Sequence, residues 1–112
     1  MTLQERLQQF HNRIAEVSIG EGKVKHYYHE RMKEPYIIWA EAGPGDYFNA
    51  DGRRGEWTAH VTIDYFTKNE YDPVFDEIQD LLNELFGSRW RWRSTQYEDG
   101  TSLIHHEWEC EV

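Results

Sequence analysis

Apolar residues recur at helical spacing over residues 3–17, where Leu3, Leu7, Phe10, Ile14 and Val17 fall on one stripe. Thr2, with Glu5 three residues on, has the form of a capping box, and Gly20 and Gly22 close the segment. A second helical pattern runs from Tyr71 through Val74, Phe75, Ile78, Leu81 and Leu82 to Leu85, giving a wide apolar face. Asp72 is placed to cap it, Pro73 takes the first helical position and Gly87 ends it. Elsewhere the period changes to two. Residues 23–29 carry the β-favouring Val24, Tyr27 and Tyr28. Residues 36–42, YIIWAEA, form a continuous apolar run, which predicts a central strand covered on both faces. The short polar stretch 30–35 between them predicts a hairpin loop. Trp57, Ala59, Val61, Ile63 and Tyr65 alternate with polar neighbours, the pattern of a half-buried strand. Two more strand patterns, residues 89–97 and 103–112, flank the turn Glu98-Asp99-Gly100-Thr101.

The predicted order is α-β-β-β-α-β-β. Grouped strands with two helices predict an α+β fold, a mostly antiparallel sheet with two helices packed on one face. The chain of 112 residues reads as one domain, residues 1–112, without linker, repeat or low-complexity tract. Residues 43–55, GPGDYFNADGRRG, hold four of the eight glycines and no periodicity. Loops of that length in small domains tend to be functional or mobile.

Composition narrows the function. Hydrophobic residues are 38%, yet there are five Trp and seven Tyr, so large rings must complete a thin core or serve an interface. A formal net charge of -9 argues against general nucleic-acid binding, which needs phosphate neutralisation. A single cysteine, Cys110, excludes an intramolecular disulfide and a cysteine-based zinc site, and in a strand pattern it reads as a small buried hydrophobe. The first residues, MTLQERLQQFHNR, lack an apolar signal core, and no run approaches the ~18 apolar residues of a membrane span. A cytosolic protein is expected.

Several constellations are candidates for function. Asp72, Asp76, Asp80 and Glu84 lie four apart on the second helix, with Glu77 beside them. Like charges at that spacing repel mildly, so the stripe is either a solvated face or a surface for a basic partner. Arg89, Arg91 and Arg93 share one side of a predicted strand, and Arg53 and Arg54 sit in the glycine loop. These arginines can pair with carboxylates of their own chain, or meet an acidic helix on a neighbour in a head-to-tail contact that closes into a ring. Tyr47 and Phe48, in the same loop, are either partner anchors or rings on which the loop folds back. Six histidines are scattered. His26 and His29 are expected on opposite strand faces, as are His105 and His106. His60, Asp64 and His106, with Glu107 nearby, offer a weak metal reading unsupported by any HExxH-type spacing. Gly43-Pro44-Gly45 lacks the Lys-Ser/Thr of a phosphate loop. Ser18, Ser88, Ser94 and Ser102 have no nucleophile-elbow context. The expectation is a non-enzymatic protein with no catalytic residue, cofactor or metal.

From residue 36 onward the chain resembles the tail-completion proteins of long-tailed bacteriophages and prophages. The likeness rests on Tyr36-Ile37-Ile38-Trp39 before a glycine loop, Val61-Thr62-Ile63-Asp64-Tyr65-Phe66-Thr67-Lys68 on the middle strand, and Tyr71-Asp72-Pro73 opening a helix that ends in Leu81-Leu82. It closes with Tyr97-Glu98-Asp99-Gly100-Thr101 and Leu103-Ile104-His105-His106-Glu107-Trp108. The resemblance implies tail terminator or tail-to-head joining proteins, with helices on one side of an antiparallel sheet. It implies a homo-hexameric ring that caps the tail tube and binds the head connector, assembled in the bacterial cytoplasm and carried in the virion tail. It places tube or connector contacts on residues 43–55, and sets the stripe from Asp72 to Glu84 against a neighbour or the lumen. The alternative from the charge pattern is an acidic module that inhibits a DNA-acting enzyme.

Overall fold

The computed structural model describes residues 1–27, 30–46, 49–50, 53–54 and 57–112; for 49–50 and 53–54 the description is of the backbone. Helix α1 spans Leu3–Ile14, capped by Thr2 and Glu5 in the reciprocal arrangement their spacing predicts. It ends before Val17, because the chain tightens into three-residue turns from Arg13 and Ile14. Val17 is still buried. The strands are β1 (Val24–His26), β2 (Tyr36–Pro44), β3 (Asn49–Ala50), β4 (Arg53–Arg54), β5 (Ala59–Thr67), β6 (Trp90–Glu98) and β7 (Leu103–Glu111). Helix α2, Pro73–Phe86, lies between β5 and β6, with Asp72 as N-cap and Gly87 at φ 58° as its stop.

Five strands form one sheet in the order β1-β2-β5-β7-β6. All its pairs are antiparallel except β1 with β2. The α+β architecture expected from the sequence is therefore present. The hairpin expected between β1 and β2 is not, since these strands run parallel and a hairpin can join only antiparallel neighbours. β1 also stops at His26, where Tyr27 takes a left-handed conformation (φ 70°) and turns the chain away. β3 and β4 make a separate two-stranded ladder inside the glycine-rich stretch read as irregular. The sequence between them, Asp51-Gly52, carries the standard hairpin signal.

Strand parity decides which residues form the core. Trp39, Ile63 and Trp108 stand side by side across β2, β5 and β7, as do Ile37, Tyr65 and His106. Both helices cover this face. Phe10 of α1 meets Trp39 edge-on at 4.9 Å, and Phe75 of α2 lies 5.1 Å from Trp108. Leu7, Phe10, Ile14, Ile78 and Leu82 supply the buried helical side. Each such side chain contributes about 1.5–3 kcal/mol on burial.

The other face carries Ile38, Ala40, Thr62, Asp64, Phe66, His105, Glu107 and Glu109, all half-buried, and among the described residues no helix covers it. The apolar run of β2 is thus covered by helix on one face only. Its other side is sheltered by rings: Tyr36 stacks on Phe66 at 4.8 Å, and Phe66 on His105 at 4.3 Å.

Candidate interaction surfaces

The acidic stripe of α2 divides into different roles. Asp72 is 7% exposed and is no part of a surface. Its Oδ2 accepts from the Tyr65 hydroxyl at 2.6 Å and the Thr67 hydroxyl at 2.9 Å, while Oδ1 accepts from the Val74 N–H at 2.9 Å. It is a buried N-cap that also ties α2 to the end of β5, which corrects its assignment to a partner interface. The same burial and hydrogen bond push the Tyr65 hydroxyl well above its ordinary pKa. Glu84 is exposed but bonded to Arg13 of α1 at 2.7 Å. Glu77 accepts from the Ser18 N–H and hydroxyl at 2.7 and 2.8 Å, closing the turn after α1 onto α2. Asp76 and Asp80 are exposed and make no hydrogen bond or ion pair among the described residues.

The arginines divide in the same way. Arg91 and Arg93 both reach Glu109 on β7, Arg93 at 2.9 Å. Burial pushes the Glu109 carboxyl up, but the two guanidinium groups outweigh it and hold the carboxyl below its usual range. A bulge between Trp92 and Ser94 makes Arg93 the extra residue of β6. Arg89 precedes the strand, so the three arginines are not one strand face. Its guanidinium lies 5.8 Å from the Phe86 ring centre and makes no hydrogen bond among the described residues. Arg53 and Arg54 form β4, whose side chains are not described, and Tyr47 and Phe48 lie outside the described residues.

The histidines fall into separate neighbourhoods. The combination His60, Asp64 and His106 does not form, because Asp64 pairs with Glu107 and Phe66 with His105, sending His106 to the helix-covered face. There it meets Phe75 at 4.8 Å, and burial lowers its pKa. Two sets of donor atoms do come within 4.8 Å of one another: Asp64, His105 and Glu107, and Asp46, His60 and Glu111. Both sets are already engaged in hydrogen bonds within the chain. In the first set, His105 Nε2 is 2.6 Å from Asp64 and Nδ1 is 3.4 Å from Glu98. The Asp64 hydrogen bond raises the His105 pKa, and both ring nitrogens face carboxylates of the chain itself. In the second set, the Asp46 N–H donates to Glu111 at 2.8 Å.

Two surface features were not legible as sites. Tyr71, counted among the apolar face of α2, is 97% exposed and holds a left-handed backbone (φ 54°) just before the cap. Beside it lies a hollow floored by Phe75, Trp92, Ile104 and His106. At the far end of α2, Phe10, Leu85, Phe86 and Val112 line a groove of about 460 Å³ between the helices, rimmed by Arg6, Arg13 and Arg89. A helical pattern reports which residues are apolar, not whether the residue before the cap is turned out; the only sequence signal was position, one residue ahead of Asp72-Pro73.

No helix among the described residues is long and apolar enough to cross a membrane. No family model and no curated protein matches the chain.

Proposed function

We propose that the protein is a structural component of a phage or prophage tail, completing the tail and joining it to the head connector as a ring, as a homo-hexamer in the form the resemblance implies. One observation carries the reading: both helices pack on the same face of a mostly antiparallel sheet, the arrangement the resemblance implies. Two further features support it. Charge along α2 is segregated: among the described residues Asp76 and Asp80 on the helix and Arg89 beyond its end make no ion pair. Exposed rings at Tyr71 and Trp92 give surfaces suited to a protein partner.

The acidic-inhibitor alternative has less support. Its DNA-like stripe needs four regularly spaced free carboxylates, whereas Asp72 is buried and Glu84 is paired with Arg13. The deciding experiment sediments the purified chain with isolated, uncapped tail tubes and with head connectors. Saturable binding at the tube end or to the connector is expected. A chain that ignores both, yet competes with DNA for a nuclease or polymerase, overturns the tail reading in favour of the alternative.

A further inference from the structure

We infer that the two ends of α2 are the two halves of one self-association contact, in which the Tyr71 knob of one copy seats in the groove between α1 and α2 of the next. This deepens the ring reading and rests on it for the expectation that copies of the chain meet.

The knob is built for exposure. A tyrosine in left-handed backbone is strained, and strain of that kind persists where the surrounding structure imposes it. Here the cap imposes it: Asp72 is fixed by its three hydrogen bonds, so the preceding residue must turn outward. The knob's surroundings are acidic. Glu70 and Asp76 flank it, exposed and without a hydrogen bond or ion pair among the described residues.

The groove has the complementary character. Its floor is aromatic and aliphatic, with Phe10 and Phe86 in tilted contact at 5.7 Å and Leu85 beside them. Its rim is basic. Arg13 is neutralised by Glu84, but Arg89 has no such partner among the described residues. A volume of about 460 Å³ has room for a tyrosine ring. Seating Tyr71 there brings the Glu70 and Asp76 carboxylates over Arg89 and Arg6.

Geometry limits the type of contact. The 14 residues of α2 span ~21 Å, and knob and groove lie at its opposite ends. The surfaces differ and each copy offers one of each, and the ring reading takes them head to tail, as a heterologous contact. With one knob–groove pair per contact, copies close into a ring or run on as a filament; only reciprocal seating of both pairs across a two-fold axis would stop at a dimer.

The test uses two variants of the full chain. Tyr71→Ala with Asp76→Ala removes the knob and leaves the groove. Gln9→Glu, at another residue of the groove lining, with Arg89→Glu reverses the rim charge and leaves the knob. All four positions are exposed, and circular dichroism with thermal melting verifies that both variants fold. Sedimentation velocity across protein concentration should give wild-type species larger than a dimer. Each variant alone should associate more weakly, on the order of thirtyfold. Mixed in equal amounts they should form a one-to-one heterodimer and go no further, since one intact contact remains. Wild type that stays monomeric or stops at a dimer, variants that associate as wild type does, or a mixture that remains monomeric each overturns the head-to-tail contact. Tube binding separates this result from the tail reading. Wild type that binds tubes without using knob or groove sinks the contact alone. Wild type that self-associates through them and ignores tubes and connectors sinks the tail reading alone.

Discussion

Replacing Asp72 with Ala should be among the most damaging single changes in α2, although the residue sits in what reads as a solvent-facing stripe. Three hydrogen bonds end on its carboxylate, from Tyr65, Thr67 and Val74. Tyr65 and Thr67 are both 0% exposed, so water cannot replace what they lose. Leaving a buried donor unsatisfied costs about 1–3 kcal/mol, and loss of an N-cap about 1 kcal/mol. Two stranded hydroxyls and one lost cap give about 3–7 kcal/mol. A domain of this size has a total stability of about 5–15 kcal/mol. Asp72→Asn should fall between wild type and Ala, because its amide nitrogen must face either the hydroxyl pair or the Val74 N–H. Asp76→Ala, one turn on and exposed, should lie within about 0.5 kcal/mol of wild type. Urea titration read as midpoint at constant slope measures all three. The double variant Asp72→Ala with Tyr65→Phe isolates the mechanism: removing the stranded hydroxyl should recover part of the loss. An Asp72→Ala cost below about 1 kcal/mol, or no recovery in the double variant, refutes the account.

Three further outcomes are expected. The raised pKa of His105 stabilises the fold fully below its unfolded value, near 6.5, and that contribution is lost as pH rises through the higher folded value. His106 has the opposite sign, since burial lowers its pKa and acidification therefore erodes stability. Two-dimensional NMR titration should place the two midpoints on opposite sides of 6.5, and His105→Gln should abolish the alkaline loss in urea midpoints. Gly45→Ala should cost about 1–3 kcal/mol, because the added Cβ would sit 2.4 Å from the Thr58 hydroxyl and 3.0 Å from the Glu111 side chain. Thr58→Ala in the same chain should return part of that in the same urea assay. Trp108→Ala should cost about 3–5 kcal/mol by chemical denaturation, since its ring is fully buried and its Nε1–H is bonded to Gln79 at 3.1 Å.

The repeating elements of the fold were legible because local periodicity causes them. β5 alternates buried and half-buried from Ala59 to Thr67 without a break, and its buried Ala59, Val61, Ile63 and Tyr65 are the residues its alternating pattern marks. The caps at Thr2 and Asp72 follow from side-chain chemistry reaching two or three residues on. The parallel pairing of β1 was not legible. Two short strand patterns with a polar spacer look alike whether the chain returns beside itself or crosses over, and the left-handed Tyr27 that diverts it is not a residue type that announces the turn. The histidine partners were missed for a different reason. Which face His105 or His106 occupies depends on the β5–β7 register, and one residue of slip exchanges them.

Charge is where sequence and structure part most instructively. Spacing along α2 treats Asp72, Asp76, Asp80 and Glu84 as equivalent, yet each meets a different neighbour once the helix is docked. Asp72 turns inward because it precedes the first turn, and Glu84 faces Arg13 because α1 lies alongside the last one. Arg91 and Arg93 meet Glu109 because β7 separates β6 from the rest of the sheet. Exposed pairs of this kind add about 0–1 kcal/mol each to stability, so their larger effect is to remove charge from the surface. Among the described residues of α2 and its flanks, the charges left without a hydrogen-bond or ion-pair partner are Glu70 and Asp76 at the head, Asp80 midway and Arg89 at the tail. Charges on the rim of a contact govern the rate and orientation of encounter more than its strength. Strength must then come from the apolar parts between those rims, which are Tyr71 at one end and the Phe10–Leu85–Phe86 groove at the other. The fold pairs off most of the charge that the sequence lays along α2 and β6, and leaves opposite signs beside the two apolar features that stand at the ends of the same helix.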